Sequence, residues 1–507
     1  MSKKAQYILL ASLIVFFIAA IRLIKVTENP AGLYWDEAAI AYNAFGIAEW
    51  NRDEWGNKLP ISFRSFGDYK APLLIYVLSV PYKIFGLHID WLRYLAAILG
   101  TGNVLLTFLL FKKIIPKATL LTQIFFIGFA ATTPWYFHFS RFGNEASLAL
   151  FCILAGTYFF LKAEKKPLFY IISSLFLCSS LYAYHSAKFF TPILIVILLG
   201  HHLTSLKKQL KFVIPSFLLG FVLLIPLGLD TLTGSGFERG KSLIVFENNS
   251  LASAPVIAQK ALANTLSFLS LDFWVNGKDS IGPRHGLPGF GVLLRSELLL
   301  TFIGLCLVLF NKKYTRSRWL GLLTLIGLLP SILSNDAPHA IRAMMAAPWL
   351  LLLAGIALYF FSQLKLSKSK QNMLMLIISG ALLIESGLYL VTYFKKYSLI
   401  SAPHFQYGYK QAFEYINEHK YEADTFIFTD KLGQPYIYSL FLRGITPEEY
   451  KFGALANYEF HEIKWPDDRR RRMYVATPEE ISPTDPAVVK VIPYPYSSEP
   501  ALVIALN

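Results

Sequence analysis

Apolar runs about as long as a membrane is thick recur through this sequence, separated by short gaps rich in lysine and arginine. Crossing the hydrocarbon core takes about 20 helical residues. Lipid offers no partner to an exposed backbone amide, so such runs must fold as helices or join a closed barrel. The runs at 7–24, 91–111, 118–136, 146–161, 168–184, 189–205, 212–229, 292–310, 319–333, 343–361 and 373–394 predict about eleven transmembrane helices. With 54% hydrophobic residues and a mean hydropathy of +0.45, the expected fold class is an all-α polytopic membrane protein.

The net charge of +15 raises the question of a polyanionic partner. Its location answers that question. Lys3 and Lys4 precede the first run, and the gaps hold Lys112, Lys113, Lys117, Lys162, Lys165, Lys166, Lys207, Lys208, Lys211, Lys312, Lys313, Arg316, Arg318, Lys365, Lys368 and Lys370, opposed there only by Glu164. These residues exceed the whole net charge, so the remainder of the chain is slightly acidic. Basic gaps mark the cytoplasmic side, and a nucleic-acid surface is excluded. The N-terminus is then inside and the C-terminus outside. No small-x-small cleavage signal follows the first run convincingly, so it reads as an uncleaved helix.

The segment 71–87, APLLIYVLSVPYKIFGL, decides the parity. If it crossed, every later basic gap would move outside. It is short and carries Pro81, so it is expected to lie in or re-enter the outer interface. Residues 26–90 then form a first external loop. Other external features are the turns at 134–145, 182–188 and 334–342 and a long loop over 230–291. The expected domains are a transmembrane domain over 1–395 and a small external α/β domain over 396–507. In the latter, YKQAFEYINEH has a helical pattern, and TFIFT, RMYVAT, VVKVI and ALVIAL read as strands.

Chemistry is expected on the outer side. Asp36 and Glu37 stand in YWDEAAIAYNA, about 100° apart on a helix, so they cannot aim at one reacting atom. Acids in a helix's first turn also stabilise its positive end. Glu145 stands four residues after Arg141, a spacing that allows pairing on one helical face. Lys70, Arg93 and Arg342, with His339, are cations on the side that the charge rule disfavours. Singly they read as snorkelling side chains; together they suit an anionic ligand such as a lipid phosphate. Cys152, Cys178 and Cys306 lie inside apolar runs, without metal-ligand spacing.

YWDEAAIAYNA, GDYKAPLLIYVLSVPYKIFG and LRYLAAILG, followed by SRFGNEASLALF, YAYHSAKFFTP and PHAIRAMMAAP, resemble in order the motifs of the C-type membrane glycosyltransferases. The similarity is to the protein O-mannosyltransferase and aminoarabinose transferase group. GYKQAFEYI with GQPYIYSLF resembles the external tail of bacterial members. Lys188 stands where arginine is expected, and Lys70-Ala-Pro replaces lysine-proline-proline. The resemblance implies an inverting transfer of a sugar from a polyprenyl-phosphate donor to an acceptor hydroxyl on protein, lipid or glycan, at the external face of the cell (cytoplasmic) membrane. Asp36 would be the general base, with Glu37 and Glu145 as further acids of the site. Lys70, Arg93 and Arg342 would face the donor phosphate, and Tyr34, Asp68, Arg141 and His339 would contact substrate. No cofactor is required by the resemblance. The three carboxylates could hold a divalent cation, although no metal ligand is assigned.

Rival readings are a transporter or flippase for lipid-linked glycans and a non-catalytic scaffold. A transporter predicts charges deep within several spans, whereas only Glu385 is so placed. DDRRRR (467–472) reads as a solvated charged surface or a contact with anionic lipid or acceptor. His201 and His202 read as a helix-end pair, and 276–291 as a connector or a mobile cover.

Overall fold

A computed structural model of the chain describes residues 3–233, 246–247, 250–251, 253–467 and 469–507. It divides into two compact units. One comprises Met1–Ile24 with Ala96–Thr392, and the other Lys25–Leu95 with Tyr393–Asn507. The segment expected to form the first external loop therefore belongs to the same unit as the tail.

The first unit is helical. Each of the eleven apolar runs contains a helix, from α1 (Lys3–Leu23) to Lys368–Thr392. Among the described residues, five helices are long and apolar enough to cross a membrane, and Arg295–Phe310 with Lys312–Ile332 adds a sixth if that pair, bent by 105°, is one span. Leu120–Thr132, Phe169–Leu181 and His185–His201 are shorter apolar helices. The run expected at 118–136 breaks at Thr133. Pro134 lacks an N–H and pushes its predecessor out of the α region, so a separate turn, Pro134–His138, begins there. The turn expected at 182–188 is shorter, because His185–His201 starts at His185 and takes in Lys188.

The long loop expected over 230–291 is also corrected. Residues 234–245, 248–249 and 252 lie outside the described residues, but Ala254–Leu269 is a 16-residue helix with Pro255 in its first turn. Beyond it, 276–291 is strapped down. Asp279 accepts from His285 Nδ1 at 2.8 Å and from the Ala340 N–H at 2.6 Å, and Ser280 N–H donates to the Pro338 carbonyl. Glu385 accepts from the N–H and hydroxyl of Ser296 at 2.9 and 2.5 Å, so this acid caps a neighbouring helix start. His202 meets Glu164 at 2.8 Å beside the end of its helix.

In the second unit, helix α2 (Trp35–Trp50) leads to a hairpin of β1 (Phe63–Ser65) and β2 (Asp68–Lys70), then to α3 (Pro72–Phe85). The start of α4 (Trp91–Ile114) closes the segment. Ala38, Ala39, Ala41 and Ala44 are fully buried in α2, and small side chains there let it sit close to Leu74, Ile75 and Leu78 of α3. Val80, Ile84 and Phe85 at the far end of α3 are exposed. The two-residue turn Phe66-Gly67 has φ of 55° and 75°, the left-handed pair of a tight hairpin.

The tail adds a five-stranded sheet in the order Tyr458–Phe460, Thr425–Phe428, Arg472–Ala476, Pro500–Leu506, Val488–Pro493. Its first three strands are parallel and the rest antiparallel. Helix Tyr409–Glu418 buries Tyr409, Ala412, Phe413 and Ile416, the i, i+3, i+4, i+7 stripe of an amphipathic helix. Phe413 stacks on Phe428 of the sheet at 4.3 Å. Of the acidic-basic run, Asp467 is clasped by Arg469, while Asp468 lies outside the described residues.

Candidate active site

The second unit gathers charge at the first turn of α2. Asp36 is ion-paired with the Lys70 ammonium, which the end of β2 delivers. The two are unequally covered: the lysine side chain is 7% exposed and the aspartate 35%. A buried cation thus stands behind a carboxylate that solvent or a ligand can reach. Phe66 places its ring 5.7 Å from the same ammonium. Asp68 is held in the hairpin, accepting from the Tyr69 N–H at 2.8 Å.

Glu37 turns the other way, as the helical offset requires. It is fully buried and meets Arg93 through Nη2 at 3.0 Å and Nε at 3.2 Å. It also accepts the Tyr34 N–H at 3.2 Å, closing the start of α2. The remaining Arg93 hydrogens go to carbonyls of the 26–32 loop: Pro30 at 2.7 Å, Gly32 at 2.6 Å and, at greater length, Val26 and Thr27. Arg93 is committed to protein on all sides. Tyr34 is buried, with its ring 4.9 Å from Trp35 and 6.2 Å from Phe405.

One acid beside this cluster has no counterpart among the expected residues. Glu54 is 1% exposed, accepts from the Tyr436 hydroxyl at 2.8 Å, and lies close enough to Lys70 to feel its charge. Burial pushes its carboxyl up to about 7. The adjacent acids Asp53 and Glu54, between Arg52 and Trp55, are the available signal, but an acid in a polar loop has no pattern that announces burial.

The first unit holds the other expected residues. Glu145 opens helix Glu145–Ala163, whose cap is Asn144, accepting from the Ser147 N–H at 2.9 Å. Arg141 lies in the turn ahead of that helix, so the two do not share one helical face. Its guanidinium donates to the carbonyls of Ile21, Arg22 and Ile24 at 3.2, 2.9 and 2.8 Å, satisfying the open end of α1. Arg22, absent from the expected set, is also fully buried, and it and Arg141 both face the Phe137 ring. Arg342 pairs with Asp336 at 3.1 Å, and the buried His339 packs against His285 at 4.6 Å. Burial and the neighbouring cations hold the His339 imidazole well below its usual range, so it is neutral. Among the described residues, no three His, Cys, Asp or Glu are arranged to hold a metal ion.

The helical unit, the acid-bearing helix α2 and the mixed α/β tail make up a fold that this chain shares with solved structures. The chain is similar over 98% of its length, and 97% of the other's, to ArnT from Cupriavidus metallidurans bound to undecaprenyl phosphate, with a TM-score of 0.53 and 12% identity. The apo state of that ArnT gives 0.53 and 11% identity over 99% of this chain and 98% of that one. The apo oligosaccharyltransferase of Archaeoglobus fulgidus gives 0.50 and 14% identity over 88% of this chain and 64% of the other. No protein-family model and no curated protein matches the sequence.

Proposed function

We propose that this chain is a glycosyltransferase of the cytoplasmic membrane that moves a sugar from a polyprenyl-phosphate donor to an acceptor hydroxyl. The observation that carries the reading is the Asp36–Lys70 pair at the start of α2, within a fold shared with ArnT. About eleven spans, with the N-terminus inside, would put the first segment and the tail at the external face. The five long helices, the bent pair and the shorter apolar helices supply the material for such a topology.

In this reading Asp36 takes the proton of the acceptor hydroxyl as its oxygen attacks C1 of the donor sugar. The bond from C1 to the phosphate oxygen breaks, and the lipid phosphate leaves with the electron pair. Attack opposite the leaving group inverts the anomeric centre. Lys70 stabilises the charge that develops on the phosphate. It also couples the two substrates: a phosphate that draws on Lys70 weakens its hold on Asp36 and leaves the carboxylate a better base. Glu37 and Arg93 act as positioning residues, because their hydrogen bonds go to each other and to the 26–32 loop. Glu145 and Arg342 remain candidates for the second acid and a further phosphate contact.

The test is replacement of Asp36 by Asn in the purified chain, with transfer followed from a polyprenyl-phosphate sugar. Removing a general base costs about 10²- to 10⁴-fold in kcat, with donor affinity kept. Turnover equal to that of the natural chain would overturn the assignment.

A further inference from the structure

The second unit contains a cavity of about 270 Å³ on the Arg93 side of the α2 start. Gly32 and Leu33 form one wall, and Gln406, Tyr407 and Gln411 of the tail form another. It opens into a groove that shares Tyr407, Gln411, Pro495 and Tyr496 with it and runs along Lys490–Ser498. We propose that this cleft binds the carbohydrate part of the acceptor, so that the hydroxyl receiving the transferred sugar belongs to a glycan. The inference rests on the transferase reading and adds the acceptor's chemical class to it.

Charge argues first. The cations lining the cavity are Arg93 and Lys410, and the acids are Glu28 and Asp90. Arg93 has its hydrogens committed to Glu37 and loop carbonyls, and Lys410 has Glu414 at 3.9 Å. A lining so balanced does not select a phosphate or a carboxylate. It suits a neutral ligand rich in hydroxyls, which the side-chain amides of Gln406 and Gln411 can meet as both donors and acceptors. At about 270 Å³ the cavity is slightly smaller than the ~300–1,000 Å³ typical of small-molecule sites. One or two sugar rings fit there, and the groove would carry the rest.

The aromatic residues argue next. Tyr496 is 80% exposed and sits at φ 57° in the turn between the last two strands. A bulky residue in the left-handed region costs about 1 kcal/mol or more, a cost the fold bears while presenting an uncovered ring at the cleft mouth. With Tyr407 and Tyr494, whose rings are 6.3 Å apart, it lines the groove with flat faces of the kind on which sugar rings stack. A peptide added as an extra strand fits less well. Pro493 and Pro495 have no N–H, and the Tyr494 N–H is already given to the Glu499 carbonyl at 2.9 Å.

The test uses the full chain in lipid nanodiscs free of sugar-based detergent, with chitotetraose, mannotetraose and galactotetraose as probes and saturation-transfer NMR as readout. At least one tetraose is expected to bind. Tyr496→Gly, which removes the ring while relieving the positive φ, should weaken it at least tenfold, and Gln411→Ala at least threefold. Asp36→Asn should leave binding within twofold. Absence of binding by all three tetraoses, or equal binding in both cleft variants, would overturn the proposal. So would Tyr496-dependent binding of a serine- and threonine-rich decapeptide in their place. Tyr496-dependent tetraose binding by a natural chain that shows no transfer from a polyprenyl-phosphate sugar counts against the reaction and supports the cleft.

Discussion

Three carboxylates near the start of α2 differ in what surrounds them, and that difference sets what each can do. Glu37 is enclosed with Arg93, and removing either partner would leave an uncompensated buried charge. Asp36 keeps about a third of its surface and has Lys70 behind it. Glu54 is buried against a tyrosine hydroxyl, and it is the one with a readable pH dependence. Its carboxyl titrates near 7 in the fold against 4.5 ordinarily. Between those values the unfolded chain gives up its proton and the folded chain keeps it. The stabilising difference is therefore complete below about 4.5, fades as pH rises to about 7, and is gone above that. A shift of this size corresponds to roughly 3 kcal/mol. Thermal unfolding of the purified chain should show a lower midpoint at pH 8 than at pH 5.5, and Glu54→Gln should flatten the difference. An unchanged slope in that variant would rule out Glu54 as the source. In the sequence Lys70 stood out as a cation on the disfavoured side, and Asp36 as a first-turn acid within a motif of the resemblance. Glu54 was not, because nothing in a local string of residues reports that a loop acid will be enclosed by a distant tyrosine.

At the level of elements, legibility followed periodicity and length. Apolar runs announced their helices, and the i, i+3, i+4, i+7 stripe announced Tyr409–Glu418. Shorter features were lost: the three-residue strand Tyr458–Phe460 and the helix Ala254–Leu269, whose apolar residues are diluted by polar ones. The β1–β2 hairpin belongs with these, although it delivers Lys70. Its turn puts both Phe66 and Gly67 at positive φ. Phe66 already bears that cost, so the glycine relieves the second position. Gly67→Ala meets no neighbouring atom within 4 Å, and its effect must come from backbone strain alone. That strain amounts to about 1–2 kcal/mol. The expected result is a looser hairpin, with KM for the polyprenyl-phosphate donor raised severalfold and kcat changed less. Steady-state kinetics on the purified variant would show it, and an unchanged KM would mean that Lys70 does not depend on the turn.

Across the whole molecule, the least legible feature is the partnership of residues 25–95 with 393–507. It is made by single contacts between residues far apart in sequence, with no shared period: Tyr438 Oη to the Leu33 carbonyl at 2.6 Å, Tyr42 Oη to the Ile445 carbonyl at 2.7 Å, the Trp35 N–H to Gln406 at 3.3 Å. The tail is thus part of the framework that holds the α2 start, and a change confined to the tail should reach the chemistry. Gly433 offers the sharpest case. At φ 129° it abuts Trp35, the residue before Asp36, and a Cβ there would fall 1.9 Å from the indole ring. Gly433→Ala must push Trp35 aside or distort its own turn, at a cost of about 1–3 kcal/mol. Misplacement of a reacting group by about 1 Å can cost on the order of 100-fold in rate. Transfer activity is therefore expected to fall by about 10- to 100-fold, although residue 433 contributes no side chain to the site. Tryptophan fluorescence should report the displaced indole, and hydrogen exchange should rise over 35–50 while the helices of the first unit keep their protection. Full activity in this variant would mean that the tail merely adjoins the first segment, and the division of labour between framework and site would have to be redrawn.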